Sequence, residues 1–136
     1  IIKHAHYHFD IDHPGKDSYE LRKAGASEIM VASSKRWALV RESDEKKEEP
    51  SLENLLNHLS LKELDLILVE GFKQEPFLKI ELNRPSLGKP YLFPNDSSIV
   101  AIAMDEKPCK NLKIPILDLN DGEQIAEYIT KNIIEK

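Results

Sequence analysis

The ten residues 64–73, LDLILVEGFK, constrain this chain more than any other stretch. Leu64, Leu66, Ile67, Leu68 and Val69 make a short apolar run that stops abruptly at Glu70 and Gly71. Such a run suits a strand buried on both faces, the usual situation of a strand inside a parallel sheet. Ligands of these sheets sit just past the carboxyl ends of the strands. Glu70 occupies that end, and Gly71 lets the backbone turn away or come close to a ligand. The pattern has the shape of a Walker B strand, whose terminal acid holds Mg²⁺ or its water beside a nucleotide phosphate. It equally suits an ordinary core strand with a solvated acid at its tip.

A chain of 136 residues is large enough for a real core and is read as one domain, 1–136. Its net charge of −5 argues against nucleic acid as the main partner, because phosphate neutralisation needs a basic face. No apolar stretch reaches membrane-spanning length, and the start does not read as a signal peptide. The single cysteine, Cys109, excludes an internal disulfide framework and fits a reducing cytosol, so the expected location is cytoplasmic. With no His or second Cys near it in sequence, Cys109 is given no catalytic role. The chain opens on Ile1-Ile2 without an initiator Met and is read as truncated.

Residues 1–12 alternate, so that His4, His6, His8, Asp10 and Asp12 would share one face of an extended strand. His13-Pro14-Gly15 breaks it. Asp17 then reads as the N-cap of a helix, with Glu20 reaching back in a capping box and Gly25 as the stop. Residues 27–33 and 37–42 predict a hairpin, with Trp37 in the core. The charged run 42–49 reads as a solvated loop. Pro50-Ser51 opens a helix in which Leu52, Leu55, Leu56 and Leu59 form one apolar stripe. Strands are predicted at 78–83, 99–104 and 114–119. A closing helix over 121–136 has Asp121 as cap, Gln124 completing the box, and Ile125, Tyr128, Ile129 and Ile133 buried. These elements give an α/β fold in three layers around a mixed, mostly parallel sheet with one β-hairpin.

The His/Asp ladder has three readings. Imidazole and carboxylate can ligate Zn²⁺, Fe or Mn²⁺. An H-x-H-x-D-H signature fails because Ile11 follows Asp10, and an H-x-H barrel site needs about 250 residues. The ladder could instead line the mouth of a nucleotide site, its carboxylates acting on Mg²⁺ through water. The third reading is a half-exposed strand with a polar face. Pro14-Gly15-Lys16-Asp17-Ser18 makes an anion-binding corner at a helix start, although turns before capped helices are common. No G-x-x-x-x-G-K-[ST] loop occurs anywhere. Lys35, Arg36, Lys73 and Lys79 read as solvated. Asp105, just past the strand 99–104, stands where a base-reading acid could lie, without an N-K-x-D pattern.

Together three stretches resemble the molybdopterin-guanine dinucleotide biosynthesis protein B (MobB) family. They are Ile2-Lys3-His4 with His6, His8, Asp10 and Asp12; the segment PGKDSYELRKAGA at 14–26; and residues 64–73. Val31-Ala32-Ser33 with Arg36-Trp37-Ala38-Leu39, and ILDLND at 116–121, are similar as well. The resemblance implies a P-loop-NTPase-like fold, binding of GTP with Mg²⁺, weak GTPase activity at most, and a homodimer. It implies an adaptor role for the MobA-type guanylyltransferase that joins GMP to molybdopterin. By the same resemblance Glu70 takes the Walker B role with Gly71 beside it, Asp10 and Asp12 lie near Mg²⁺, and Lys16 and Asp17 line the site.

One departure stands out. The family's strand, Walker A loop and helix would precede Ile1 and are missing, so this chain alone is expected to bind GTP poorly. A sheet edge left open in this way would favour dimerisation. Two alternatives from other classes accompany the family reading. One is a metal-dependent hydrolase using His4, His6, His8 and Asp10, and the other is a non-catalytic dimerising interaction module.

Overall fold

The computed structural model describes residues 1–5, 9–43, 49–108 and 111–135. Their internal contacts divide them into two units, Ile1–Gly71 and Phe72–Lys136. Both mix helices with strands, and three of the four strand pairings are parallel.

In the first unit, β1 (Ile2–Lys3) pairs in parallel with β4 (Val69–Glu70), Ile2 opposite Val69 and Lys3 opposite Glu70. Between them run α1 (Asp17–Lys23), the antiparallel pair β2 (Glu28–Ala32) and β3 (Trp37–Arg41), and α2 (Leu52–Leu56). The hairpin turn is closed by Ser33, whose N–H donates to the Arg36 carbonyl at 2.8 Å. α1 begins one residue earlier than its sequence suggests, with Lys16 at the N-cap. Asp17 accepts from the next amide, Ser18, while Glu20 reaches back to the Gly15 N–H at 3.4 Å. Its end is as expected: Gly25 takes φ +107, and the amides of Gly25 and Ala26 return to the carbonyls of Arg22 and Leu21. Ser51 caps α2, accepting from the Asn54 N–H at 3.2 Å, and Leu52 is buried.

Two expectations are corrected here. The run 64–69 does not form a long strand buried on both faces: β4 holds only Val69 and Glu70, and Leu64, Leu66 and Leu68 are 46%, 39% and 46% exposed. An apolar run becomes a central strand only when strands flank it on both sides. Among the described residues β4 has one neighbour, itself two residues long. Trp37, expected in the core, is 67% exposed, because no described element covers its face of the two-stranded hairpin.

The second unit holds β5 (Lys79–Asn83), β6 (Ile99–Met104) and β7 (Ile116–Asp118), all parallel in the order β5-β6-β7. Here the central strand has partners on both sides, and Ala101, Ile102 and Ala103 are fully buried. α3 (Gly122–Ile129), continued by a π-turn over Thr130–Ile134, lays Ile125 and Tyr128 against Ala101, Ala103 and Leu117. The two alanines leave room for the helix to sit close, and the Tyr128 hydroxyl donates to the Val100 carbonyl at 3.0 Å. Asp121 caps α3 through the Gln124 N–H at 2.9 Å. Gln124 does not close the expected box; its Oε1 accepts from the Asp118 N–H at 2.6 Å, tying the first turn of the helix to β7.

Candidate functional site

The register of β1 with β4 fixes what surrounds Glu70. Lys3 lies directly opposite, with Nζ 3.2 Å from Glu70 Oε2 and both side chains largely exposed. An ion pair so exposed contributes little and leaves the carboxylate free to turn. The His4 N–H donates to the Glu70 carbonyl at 2.8 Å. Gly71 follows at φ +93, where a Cβ would lie 2.6 Å from His4 Cβ, so this position admits only glycine. The His4 ring meets Glu49, Nε2 to Oε2 3.0 Å. Glu70, Gly71 and His4 are thus brought together at the end of the β1–β4 ladder.

Asp10 and Asp12 form a second group. The Asp12 N–H donates to Asp10 Oδ1 at 3.3 Å, and Asp12 Oδ1 accepts from the His13 N–H at 2.9 Å. Asp10 is also engaged by a side chain that sequence reasoning passed over. Arg22, projecting from α1, holds Asp10 Oδ1 at 2.6 Å through Nη2 and Glu42 Oε1 at 2.8 Å through Nη1. The hydrogen bond from Arg22 keeps the Asp10 carboxyl below its ordinary range, the Asp12 amide adds to this, and desolvation opposes it. The bonds from Glu42 and Asp10 push the guanidinium further up in turn. Arg22 also packs over the Tyr19 ring, 5.2 Å from its centroid, and its Nε is buried without a hydrogen-bond partner. The reach of Arg22 to Asp10 and Glu42, 12 and 20 residues away, left no signal in the sequence.

Lys16 and Asp17 stand exposed at the start of α1. His6, His8 and Cys109, with residues 44–48 of the charged run, lie outside the described residues. Among the described residues no group of three or more His, Cys, Asp or Glu is arranged to hold a metal ion.

The second unit carries its own polar cluster. Glu81 is buried, and its two oxygens accept from the amides of Leu92 and Phe93, each at 2.9 Å, which pins that loop to β5. Asn83 is buried on the same strand. Arg84 Nη1 meets Asp105 Oδ2 at 2.7 Å. Lys79, expected to be solvated, is largely buried and holds Asp96 Oδ2 at 2.8 Å. That bond, with those from the Ser98 hydroxyl and amide, holds the Asp96 carboxyl down to about 2.

The chain was compared with known proteins. A family model described as molybdopterin guanine dinucleotide synthesis protein B (MobB) matches residues 1–105. The molybdopterin-guanine dinucleotide biosynthesis adapter protein of Escherichia coli is 46% identical over 132 residues, which cover 96% of this chain and 74% of that protein. The corresponding adapter protein of Haemophilus influenzae is 37% identical over 129 residues, 95% of this chain and 69% of the relative. A crystal structure of molybdopterin-guanine biosynthesis protein B superposes with a TM-score of 0.66, covering 88% of this chain and 75% of the other at 24% identity. At that identity the likeness is one of fold.

Proposed function

The chain belongs to the family of molybdopterin guanine dinucleotide synthesis protein B (MobB), and on that premise we propose that it is an adaptor in molybdopterin guanine dinucleotide synthesis. Its partner in this reading is the guanylyltransferase that joins GMP to molybdopterin. The observation that carries the reading is the 46% identity, over nearly the whole chain, to a protein named for that adapter role.

The nucleotide in this proposal is GTP with Mg²⁺, which when bound supplies a phosphate chain and a hydrated cation. Glu70 fits a cation-facing role. It is an oxygen donor at the carboxyl end of a parallel strand, restrained among the described residues by an exposed ion pair, with a backbone at Gly71 that allows close approach. Asp10 and Asp12 are the further acids, and Lys16 and Asp17 line the approach. Arg22 takes Asp10 through Oδ1, so a cation at Asp10 would bind its other oxygen or compete with the guanidinium. The chain acts in the cytoplasm as a homodimer in this reading. In support of the dimer, the hairpin presents Met30, Leu39 and Trp37 exposed on one face. No helix among the described residues is long and apolar enough to cross a membrane.

The test is retention of purified guanylyltransferase on the immobilised chain. Retention that salt weakens but does not abolish is the expected result. No retention, with or without GTP, contradicts the adaptor reading.

A further inference from the structure

Within the second unit a cavity of about 430 Å³ lies beside the end of β5, and its own residues leave it unsatisfied in three ways. The first is charge. Lys73, Arg84 and Lys89 line the cavity, on a chain whose net charge is −5. Arg84 is paired with Asp105, but the exposed Lys73 and Lys89 form no ion pair among the described residues. The one carboxylate of the lining, Glu81, does not serve them, since both its oxygens accept from the amides of Leu92 and Phe93. The second is apolar surface. Leu82 and Leu87 also line the cavity and are 68% and 61% exposed. Leucines scattered singly on a surface are ordinary, whereas two on one concave wall beside exposed cations have the make-up of an interface. The third is a hydrogen bond. Asn83, another lining residue, is only 5% exposed, and its Oδ1 has no partner. Buried polar atoms are paired in the great majority of cases, so this oxygen calls for an N–H from outside the unit.

These three needs narrow the occupant. A free oxyanion would neutralise the lysines, but it brings no N–H for Asn83 and no apolar surface for the leucines. An extended stretch of polypeptide brings all three, through its backbone N–H, an apolar side chain and the carboxylates of neighbouring residues. We propose that the cavity is the docking site for an extended segment of the guanylyltransferase in which an apolar residue is flanked by Asp or Glu. The apolar side chain packs on Leu82 and Leu87, a backbone N–H donates to Asn83 Oδ1, and the flanking carboxylates meet Lys73 and Lys89. The choice of partner rests on the adaptor reading; the chemistry of the segment rests on the cavity.

The dissociation constant of purified guanylyltransferase for the 136-residue chain and its variants tests the assignment. The double variant Lys73→Glu/Lys89→Glu should weaken binding about tenfold or more, and Leu87→Asp about tenfold. Lys113→Glu, an exposed lysine that does not line the cavity, changes the net charge in the same direction and should alter binding by less than about threefold. Asn83→Val should weaken binding a few-fold while the free chain melts at the same temperature or higher, since the substitution deletes an unsatisfied polar atom.

Enzyme bound by the native chain, and bound as tightly by the double variant and Leu87→Asp, overturns the docking surface and leaves the adaptor reading standing. A loss in Lys113→Glu as large as in the double variant shows attraction by bulk charge and also overturns it. No binding by the native chain contradicts the adaptor reading and takes the docking surface with it. A native dimer that Leu87→Asp converts to monomer, with enzyme binding unchanged, assigns the cavity to a second copy of the chain and refutes the proposal.

Discussion

Gly71 lies so close to His4 that a methyl group on its Cα would come within 2.6 Å of His4 Cβ. The contact sits where the β1–β4 ladder ends, beside the His4 amide that donates to the Glu70 carbonyl. Gly71→Ala therefore meets both a steric clash and a left-handed backbone at φ +93. Gly15 has a similar φ of +87 but nothing within 4 Å of its notional Cβ. Gly15→Ala should cost about 1 kcal/mol of backbone strain, and Gly71→Ala about 2–4 kcal/mol. Urea unfolding of the two variants measures the difference; equal losses would mean that His4 is not pressed against Gly71.

Arg22→Met should raise the Asp10 carboxyl towards its ordinary value, because the guanidinium hydrogen bond is the largest influence lowering it. The variant should also melt at a lower temperature, since Asp10 and Glu42 lose the cation that joins them. A carboxyl-detected NMR titration of Asp10 reads the first effect. In the proposed function the freed carboxylate should also bind Mg²⁺ more readily, and a metal titration that the substitution leaves unchanged would remove Asp10 from the cation site.

Acid should weaken the second unit through Asp96. Its folded value of about 2 lies below the ordinary 3.8, so the ionised form is favoured in the folded chain. The stability this contributes is fully present above the ordinary value and is lost as pH falls through about 2. The melting-temperature gap between the native chain and Asp96→Asn should be widest above about pH 4 and close towards pH 2. A gap constant across that range would show that the contact with Lys79 does not depend on charge.

The seat of α3 on the sheet depends on small side chains beneath it. Ala103→Leu should cost about 1–3 kcal/mol by overpacking against the Ile125 and Tyr128 side, because Ala103 is fully buried. Tyr128→Phe should cost about 1 kcal/mol, the worth of its hydrogen bond to the Val100 carbonyl. Thermal unfolding followed by circular dichroism gives both values.

The two apolar runs show what the sequence could convey about the fold. Ile99–Met104 formed the predicted strand to the residue, with a partner on each side and buried alanines beneath α3. Residues 64–69 carried the same pattern, yet only Val69 joined a ladder, because a run of apolar side chains does not supply its own neighbours. Gly25 and Asp121 were legible because helix ends are set by chemistry within a few residues.

The candidate site divides in the same way. Glu70 and Gly71 could be picked out because the apolar run ends on them. The Asp10–Arg22–Glu42 clamp could not, since it joins residues far apart in sequence. Nor could the cavity beside Asn83, which is lined by residues as far apart in sequence as Lys73 and Leu119.

The most direct test is the formation of molybdopterin guanine dinucleotide by purified guanylyltransferase from molybdopterin and GTP, timed with and without this chain. The adaptor account predicts that the chain raises the rate or the yield, and that Glu70→Gln, folded as judged by circular dichroism, loses that effect. Progress curves that the native chain leaves unchanged at every concentration would contradict it.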